Sequence, residues 1–203
     1  MVLTAHSSSF ARRLVRDWEA EHISTALRSV ESVVAVSRSL RGELVRYAPE
    51  VQIDVIPNLV DTEFFTAGPP RDATGFTWLA VALLTENKGI ATLLEAFEGA
   101  FGDQPDVQLR IAGDGPELPK LRVLAERSDV ADRVIFAGRL TREDIRDEMQ
   151  ACDGFVSASR VETFGVALIE ALATGVPLVA TRSGGPEDIV DPSVGVLVDP
   201  DDA

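Results

Sequence analysis

The chain has 203 residues, of which 45% are hydrophobic and 26% charged, with a formal net charge of −14. These values are typical of a soluble globular protein, and no apolar run approaches the roughly 18 residues that predict a membrane-spanning helix. Residues 47–203 hold 12 basic and 28 acidic side chains, which argues against binding to nucleic acid phosphates. Cys152 is the only cysteine and the first residues lack a basic secretory leader, so the simplest predicted location is cytoplasmic.

The first part of the chain predicts a small α/β unit. Short apolar runs at 2–5, 32–37 and 51–57 predict strands, and the segments 8–29 and 37–48 between them predict helices. The unit opens inside a strand, and its two helices would cover one face of a parallel sheet. We therefore expect 1–57 to be a partial Rossmann-like domain from a longer two-domain protein.

A segment rich in turn formers, 58–75, is the predicted linker. After it, apolar runs alternate with helical patterns, and this order predicts right-handed βαβ units. The predicted strands are 76–84, 107–113, 133–138, 154–159, 177–181 and 194–198. Thr141 and Asp144 have the spacing of a capping box at one helix start. The fold class is thus α/β, with a doubly wound Rossmann-like parallel sheet over 76–203.

Such a sheet binds ligands beyond the carboxyl ends of its strands, where the strand order reverses. If the order is 3-2-1-4-5-6, the loops after the first and fourth strands of this domain meet at that point. The first loop carries Lys88, one of only two lysines, and the second carries Glu162. We expect both side chains in one crevice.

The start of the next helix has features that suit a phosphate. Gly165 lets the backbone approach a ligand closely, and free N–H groups over Thr163, Phe164, Gly165 and Val166 favour an anion. Glu170 lies further along the helix, where a carboxylate could accept a ribose diol, and Glu162 faces whatever the phosphate carries. A sugar nucleotide satisfies both carboxylates, and no cofactor is predicted.

The region "SASRVETFGVALIEALATGVPLVATRSGGPEDIV" resembles the E-x7-E signature of the family-four retaining glycosyltransferases, which have the GT-B fold. The stretches "VSRSLRGELV", "VIPNLVDTEFF", "KGIATLLEAF", "IAGDGPELPKL", "VIFAGRL" and "VGVLVDPDD" follow in that family's order and spacing, so the resemblance covers nearly the whole chain. It implies metal-independent transfer of a sugar, with retained anomeric configuration, from a nucleotide-diphosphate sugar to an acceptor.

The resemblance also implies residue roles. Glu170 corresponds to the ribose-binding glutamate, Glu162 to the glutamate that contacts the donor sugar, and Lys88 to the diphosphate lysine. His6 corresponds to a histidine that reaches the active site from the amino-terminal domain. One departure is Leu83, which stands where the family usually has a second diphosphate cation, an arginine. This change predicts weaker donor binding or a different phosphate geometry.

Each of these residues also has a simpler, non-catalytic interpretation. A lone pair of glutamates is usually solvated, Lys88 could be a surface lysine, and His6 could hydrogen-bond at a strand end. The apolar stripe Phe10, Leu14 and Trp18 beside three arginines predicts packing, with a peripheral membrane contact as the alternative. The function classes left open are a retaining glycosyltransferase, a GT-B nucleotide-sugar epimerase and a non-catalytic nucleotide-sugar-binding fragment. The acceptor is a glycan, a lipid or a small molecule.

Overall fold

The computed structural model describes residues 1–69 and 74–200, which form two parallel sheets. The front sheet has the order β1-β2-β3, with β1 Val2–Ala5, β2 Ser32–Ala35 and β3 Ile53–Val55. Helix α1, Asp17–Arg28, joins β1 to β2, and helix α2, Arg38–Val45, joins β2 to β3. The three predicted strands and their connections are therefore present, although each observed strand is as short as three or four residues.

The predicted helix over 8–29 is wrong in its first half. The chain from Ser8 to Leu14 forms hydrogen-bonded turns instead, and the helix begins only at Asp17. The Ser7 hydroxyl accepts a hydrogen bond from the Ser9 N–H, which competes with helical bonding. Arg13 has a φ of 53°, a left-handed conformation that a continuous helix does not contain.

The second sheet has six strands in the order β6-β5-β4-β7-β8-β9. They are β4 Phe76–Val81, β5 Val107–Ala112, β6 Val134–Gly138, β7 Gly154–Ser157, β8 Leu178–Thr181 and β9 Gly195–Val198. All the pairings are parallel. Counted within this domain the order is 3-2-1-4-5-6, so the expected doubly wound topology is confirmed.

Helices cover both faces of this sheet. They are α3 Ile90–Phe101, α4 Leu118–Glu126, α5 Arg142–Ala151 and α6 Val166–Ala173. Helices α3 and α4 pack in one core and α5 and α6 in the other, so neighbouring residues of β4, Leu79 and Ala80, belong to opposite cores. The predicted capping box is present at α5, where the Thr141 hydroxyl accepts from the Asp144 N–H.

The predicted linker 58–75 includes residues 70–73, which lie outside the described residues, as do 201–203 of the last predicted domain. Its first part is closely attached to the second sheet. The Asp61 carboxylate accepts hydrogen bonds from the N–H groups of Glu63 and Phe64, which forms a turn. Phe65 at the end of that turn is buried in the core of α5 and α6. The two sheets are thus joined through a packed segment.

Contacts also run directly between the two sheets. Phe164, from the loop that precedes α6, is buried in the core of the front sheet. The Arg38 N–H, at the start of α2, donates a 2.6 Å hydrogen bond to the Asp188 carboxylate. In the ranges that the structure describes, no helix is long and apolar enough to cross a membrane.

Candidate functional site

The strand order reverses between β4 and β7, which pair through Trp78↔Gly154 and Leu79↔Phe155. A cavity of about 440 Å³ opens beyond the carboxyl ends of these two strands. Of the eight predicted site residues, the structure brings seven to its lining: His6, Lys88, Glu162, Thr163, Phe164, Gly165 and Val166. Glu170 does not line it. The expected crevice therefore exists at the predicted edge of the sheet.

The start of α6 forms one wall of the cavity. Gly165 adopts a φ of 99°, and a Cβ atom there would lie 2.8 Å from Leu168 Cδ1, so this turn requires glycine. Within the described residues no side chain caps the amino terminus of the helix. Its first N–H groups and the positive end of its dipole are thus available to an anion in the cavity.

Lys88 and Glu162 form an ion pair in the cavity. Lys88 Nζ donates a hydrogen bond to Glu162 Oε2 over 2.5 Å, and the two side chains are 26% and 18% exposed. Lys88 ends a short 3₁₀ segment, Glu86–Lys88, between β4 and α3. The predicted diphosphate cation and the predicted sugar-binding carboxylate therefore contact each other directly.

The backbone of Glu162 is fixed by the loop that follows β8. The Glu162 N–H donates to the Ser183 carbonyl, and the Glu162 carbonyl accepts from the Gly185 N–H, over 2.8 and 2.7 Å. The Thr163 N–H donates in addition to Glu162 Oε1. Because both backbone groups and the carboxylate have partners, the side chain is held toward the cavity.

The front domain contributes the facing wall. The Thr163 hydroxyl donates a 3.2 Å hydrogen bond to the His6 carbonyl, which brings the end of β1 against the loop before α6. His6 lines the cavity, and its catalytic role stays a prediction. Asn58, which follows β3, also lines the cavity, and sequence reasoning missed it because it stood in a predicted linker. Its position directly after a predicted strand is the sequence feature that could have identified it as a cavity residue.

Glu170 lies on α6 outside the cavity lining, and the residue is partly buried. Burial raises the pKa of this carboxyl above its ordinary value, and the charge of Arg142 partly offsets that rise. The predicted ribose contact stays a prediction. Arg142, at the start of α5, is a neighbour that no local sequence pattern could have linked to Glu170.

Leu83 lines the cavity, and its side chain is exposed. Among the described residues of the lining, Lys88 is the only lysine or arginine. No other basic side chain of the described lining therefore takes the place of the arginine that the family usually has where this chain has Leu83. Across residues 1–69 and 74–200, no group of three His, Cys, Asp or Glu side chains could hold a metal ion.

Comparison with solved structures supports the same architecture. The Anabaena protein Alr3699/HepE, solved in complex with UDP, matches 98% of this chain and 58% of its own with a TM-score of 0.86 at 25% identity. Sucrose-phosphate synthase from Thermosynechococcus elongatus matches 99% of this chain and 55% of its own, with a TM-score of 0.83 at 26% identity.

Curated relatives include the phosphatidylinositol N-acetylglucosaminyltransferase gpi3 subunit of Schizosaccharomyces pombe, which is 30% identical over 81% of this chain and 37% of its own length. A GDP-mannose-dependent monoacylated alpha-(1-6)-phosphatidylinositol monomannoside mannosyltransferase from Corynebacterium glutamicum is 34% identical over 72% of this chain and 43% of its own. The chain thus spans about two fifths of the length of these relatives.

Two family profiles match consecutive parts of the chain. That of glycosyltransferase family 4 matches residues 1–64, and that of the glycosyl transferases group 1 matches residues 61–203. The boundary between them falls in the segment that connects the two sheets. With the second profile covering most of the sequence, including the cavity loops and α6, the chain belongs to the glycosyl transferases group 1 family.

Proposed function

We propose that this chain carries the donor site of a retaining glycosyltransferase that uses a nucleotide-diphosphate sugar and needs no metal ion. The observation that carries the proposal is the cavity itself. It gathers a lysine, a carboxylate and an uncapped helix amino terminus at the point where the strand order of a doubly wound sheet reverses.

The diphosphate lies against the start of α6 in this proposal. The N–H groups that follow Gly165 and the ammonium group of Lys88 supply its positive partners. A phosphate oxygen takes the place of Glu162 on Lys88, and the released carboxylate accepts hydrogen bonds from the donor sugar. Glu170 accepts the ribose hydroxyls, and His6 contacts the reacting groups from the front domain.

Metal-independent binding has an electrostatic consequence. A diphosphate carries more negative charge than one lysine and a helix dipole can balance. With Leu83 at the position of the usual arginine, Lys88 provides the side-chain cation of this wall. We therefore expect weaker donor binding than in a site with both cations.

The acceptor is a glycan, a lipid or a small molecule. The names of two relatives specify phosphatidylinositol or a phosphatidylinositol mannoside, which makes a phosphatidylinositol the first acceptor to test. A cytoplasmic location and a peripheral membrane contact are compatible with such an acceptor and stay predictions.

Two alternatives remain. The first is a nucleotide-sugar-binding unit that has no transfer activity alone. A nucleotide-sugar epimerase of GT-B fold is the second alternative. Its product would be a changed donor sugar rather than a glycosylated acceptor.

Binding is tested first, by calorimetry with UDP-, GDP- and ADP-sugars. We expect one class of nucleotide sugar to bind. Lys88→Ala should weaken this binding strongly, whereas Lys120→Ala, which changes the only other lysine, should leave the affinity unchanged. No binding of any class at millimolar concentration contradicts the proposal.

Transfer is tested by incubating the chain, the bound donor and a phosphatidylinositol acceptor, with and without EDTA. NMR of the anomeric proton of the product determines whether configuration is retained. A glycosylated product with retained configuration in EDTA supports the transferase. An altered donor sugar supports the epimerase, and binding without any product supports the binding unit.

A further inference from the structure

The loop between β4 and α3 and the loop between β7 and α6 are attached to each other along their length. Each of them carries one member of the Lys88–Glu162 pair. The connection between the loops does not run through that pair alone, because backbone groups of the second loop are bonded to the residue that precedes Lys88.

Asn87 makes two of these bonds. Its side-chain amide donates a 2.8 Å hydrogen bond to the Val161 carbonyl, and its own carbonyl accepts a 2.8 Å hydrogen bond from the Arg160 N–H. Asn87 therefore contacts the second loop through both its side chain and its backbone. In the first loop these bonds lie one residue before Lys88, and in the second loop they lie one and two residues before Glu162.

Gly89 limits the separation of the loops on the other side of Lys88. It has a φ of 63°, and a Cβ atom there would overlap the carbonyl oxygen of Ala158, the residue after β7. The backbone on each side of Lys88 is thus in contact with the segment from Ala158 to Val161. The position of the Lys88 Cα atom relative to Glu162 follows from these contacts.

From this arrangement we infer that Asn87 is a positioning residue, which sets the separation of Lys88 and Glu162 and so matches the cavity to a diphosphate joined to a sugar. This inference rests on the proposed function for its ligand. Lysine and glutamate side chains are long and flexible, so a site made from two loops needs a backbone connection to keep both groups in place. The amide of Asn87 supplies that connection without adding a charge to the cavity.

The first test needs no ligand and uses the fact that the chain has two lysines. Lys88 is 26% exposed and Lys120 is 75% exposed, so limited acylation of amines, followed by mass spectrometry, reports on Lys88 with Lys120 as an internal standard. We expect Asn87→Ala to raise the ratio of Lys88 to Lys120 acylation rates several-fold. Because Lys120 is already mostly exposed, a general loss of stability would also raise the ratio, so the rates are compared only under conditions in which circular dichroism shows each variant to be fully folded.

Two further variants make this test specific. Asn87→Gln keeps an amide donor and should restore part of the original ratio. Gln150→Ala is the matched control, because it removes a 2.8 Å hydrogen bond of the same kind, from the Gln150 side-chain amide to the Thr66 carbonyl, outside the cavity lining. It should leave the ratio of acylation rates unchanged. If Asn87→Ala does not fold, Asn87→Asp, which keeps the size but loses the donor, takes its place. An unchanged ratio in the donor-lacking variant overturns the inference.

The second test measures affinity for the nucleotide sugar that binds the unmodified chain. We expect Asn87→Ala to weaken it about ten-fold and Gln150→Ala to leave it unchanged. If the unmodified chain binds no nucleotide, the proposed function fails while the acylation ratio still decides whether Asn87 positions Lys88. If the ratio changes and affinity does not, Asn87 holds the loops but has no role in donor binding, and the inference is wrong.

Discussion

Lys88 Nζ lies 2.5 Å from Glu162 Oε2, although the two residues are 74 positions apart in the chain. Each side chain thus balances the charge of the other in the cavity. In the proposed function, a diphosphate that binds Lys88 takes the place of the carboxylate, and Glu162 then contacts the group attached to the phosphate. The pair would in that way link binding of the diphosphate to the position of Glu162.

This link leads to different predictions for the two glutamates. Glu162→Ala should not weaken binding of the bare nucleotide diphosphate, because it removes a competitor for Lys88, but it should weaken binding of the nucleotide sugar. Glu170→Ala should weaken both by roughly 1–3 kcal/mol, or about 5- to 150-fold in Kd, because the ribose loses an acceptor. Calorimetry with both ligands measures the difference.

Glu117→Ala is the matched control for these variants, since its carboxylate is paired with Lys120 rather than with Lys88. It should leave both affinities unchanged. Equal losses of bare-nucleotide affinity in Glu162→Ala and Glu170→Ala would show that the proposed division of roles is wrong.

The topology of the second sheet could be predicted because its strands are continuous apolar runs separated by helical patterns. Strand order then followed from the general geometry of doubly wound sheets, and it brought Lys88 and Glu162 to one edge. Their direct ion pair could not be predicted, because it depends on the side-chain directions set by Asn87 and by the loop after β8. Sequence spacing contains no information about those contacts.

The segment before α1 shows a second limit of prediction from the sequence. Phe10 packs edge to face on Tyr47, but Leu14 and Trp18 are 53% and 62% exposed, so the predicted packing stripe is wrong for those two residues. The prediction assumed one continuous helix, in which residues four apart share a face. The turn at Arg13 interrupts that periodicity, and a single left-handed residue is not visible in an apolar pattern.

Glu170 should make the stability of the ligand-free chain depend on pH. Its raised pKa means that the folded state binds the proton more tightly than the unfolded state. Stability from this group is fully present below the ordinary carboxyl pKa and is lost as pH rises through the raised pKa. Glu170→Gln should therefore have a Tm close to that of the unmodified chain in acid and a higher Tm at neutral pH. Thermal unfolding between the acid limit of folding and pH 8 tests this, and a constant Tm difference would contradict it.

Arg133 should contribute to stability without affecting the cavity. Its guanidinium donates to backbone carbonyls at the end of α3, in the loop after it and at the start of β5, those of Phe101, Gly102, Gln104 and Val107. Arg133→Ala should lower the free energy of unfolding by about 1.5–3 kcal/mol, because these carbonyls lose a charged donor. Arg133→Lys should recover only part of the lost free energy, since one ammonium group cannot reach all four carbonyls. Urea unfolding measures the loss of stability. If fully folded Arg133→Ala bound the nucleotide more weakly than the unmodified chain, the expectation that Arg133 does not affect the cavity would be wrong.

The exposed side chains of Leu14 and Trp18 lie in a segment with three arginines, at 12, 13 and 16. Exposed apolar groups beside cations suit the surface of an anionic membrane. The chain should sediment with phosphatidylglycerol vesicles at low salt, and the double variant Leu14→Ser, Trp18→Ser should reduce binding several-fold.

A control for that experiment is Val196→Ser, which changes an exposed valine on β9, in the other sheet. It should bind the vesicles as the unmodified chain does. Equal binding by the double variant would show that the segment is not a membrane contact.

The front sheet should be the least stable part of the molecule. In the part of the chain that the structure describes, β1 pairs only with β2, and α1 contributes a single buried residue, Leu27. Few buried contacts favour local opening, so amide hydrogen exchange should be faster over residues 1–57 than over β4 and β5. Such motion would also weaken the proposed transfer, in which the front sheet holds the acceptor against the donor, because this positioning can supply several kcal/mol. We therefore expect the chain to bind its nucleotide but to transfer sugar poorly. Strong protection of β1 in the monomer, or rapid transfer by the purified chain, would contradict this expectation.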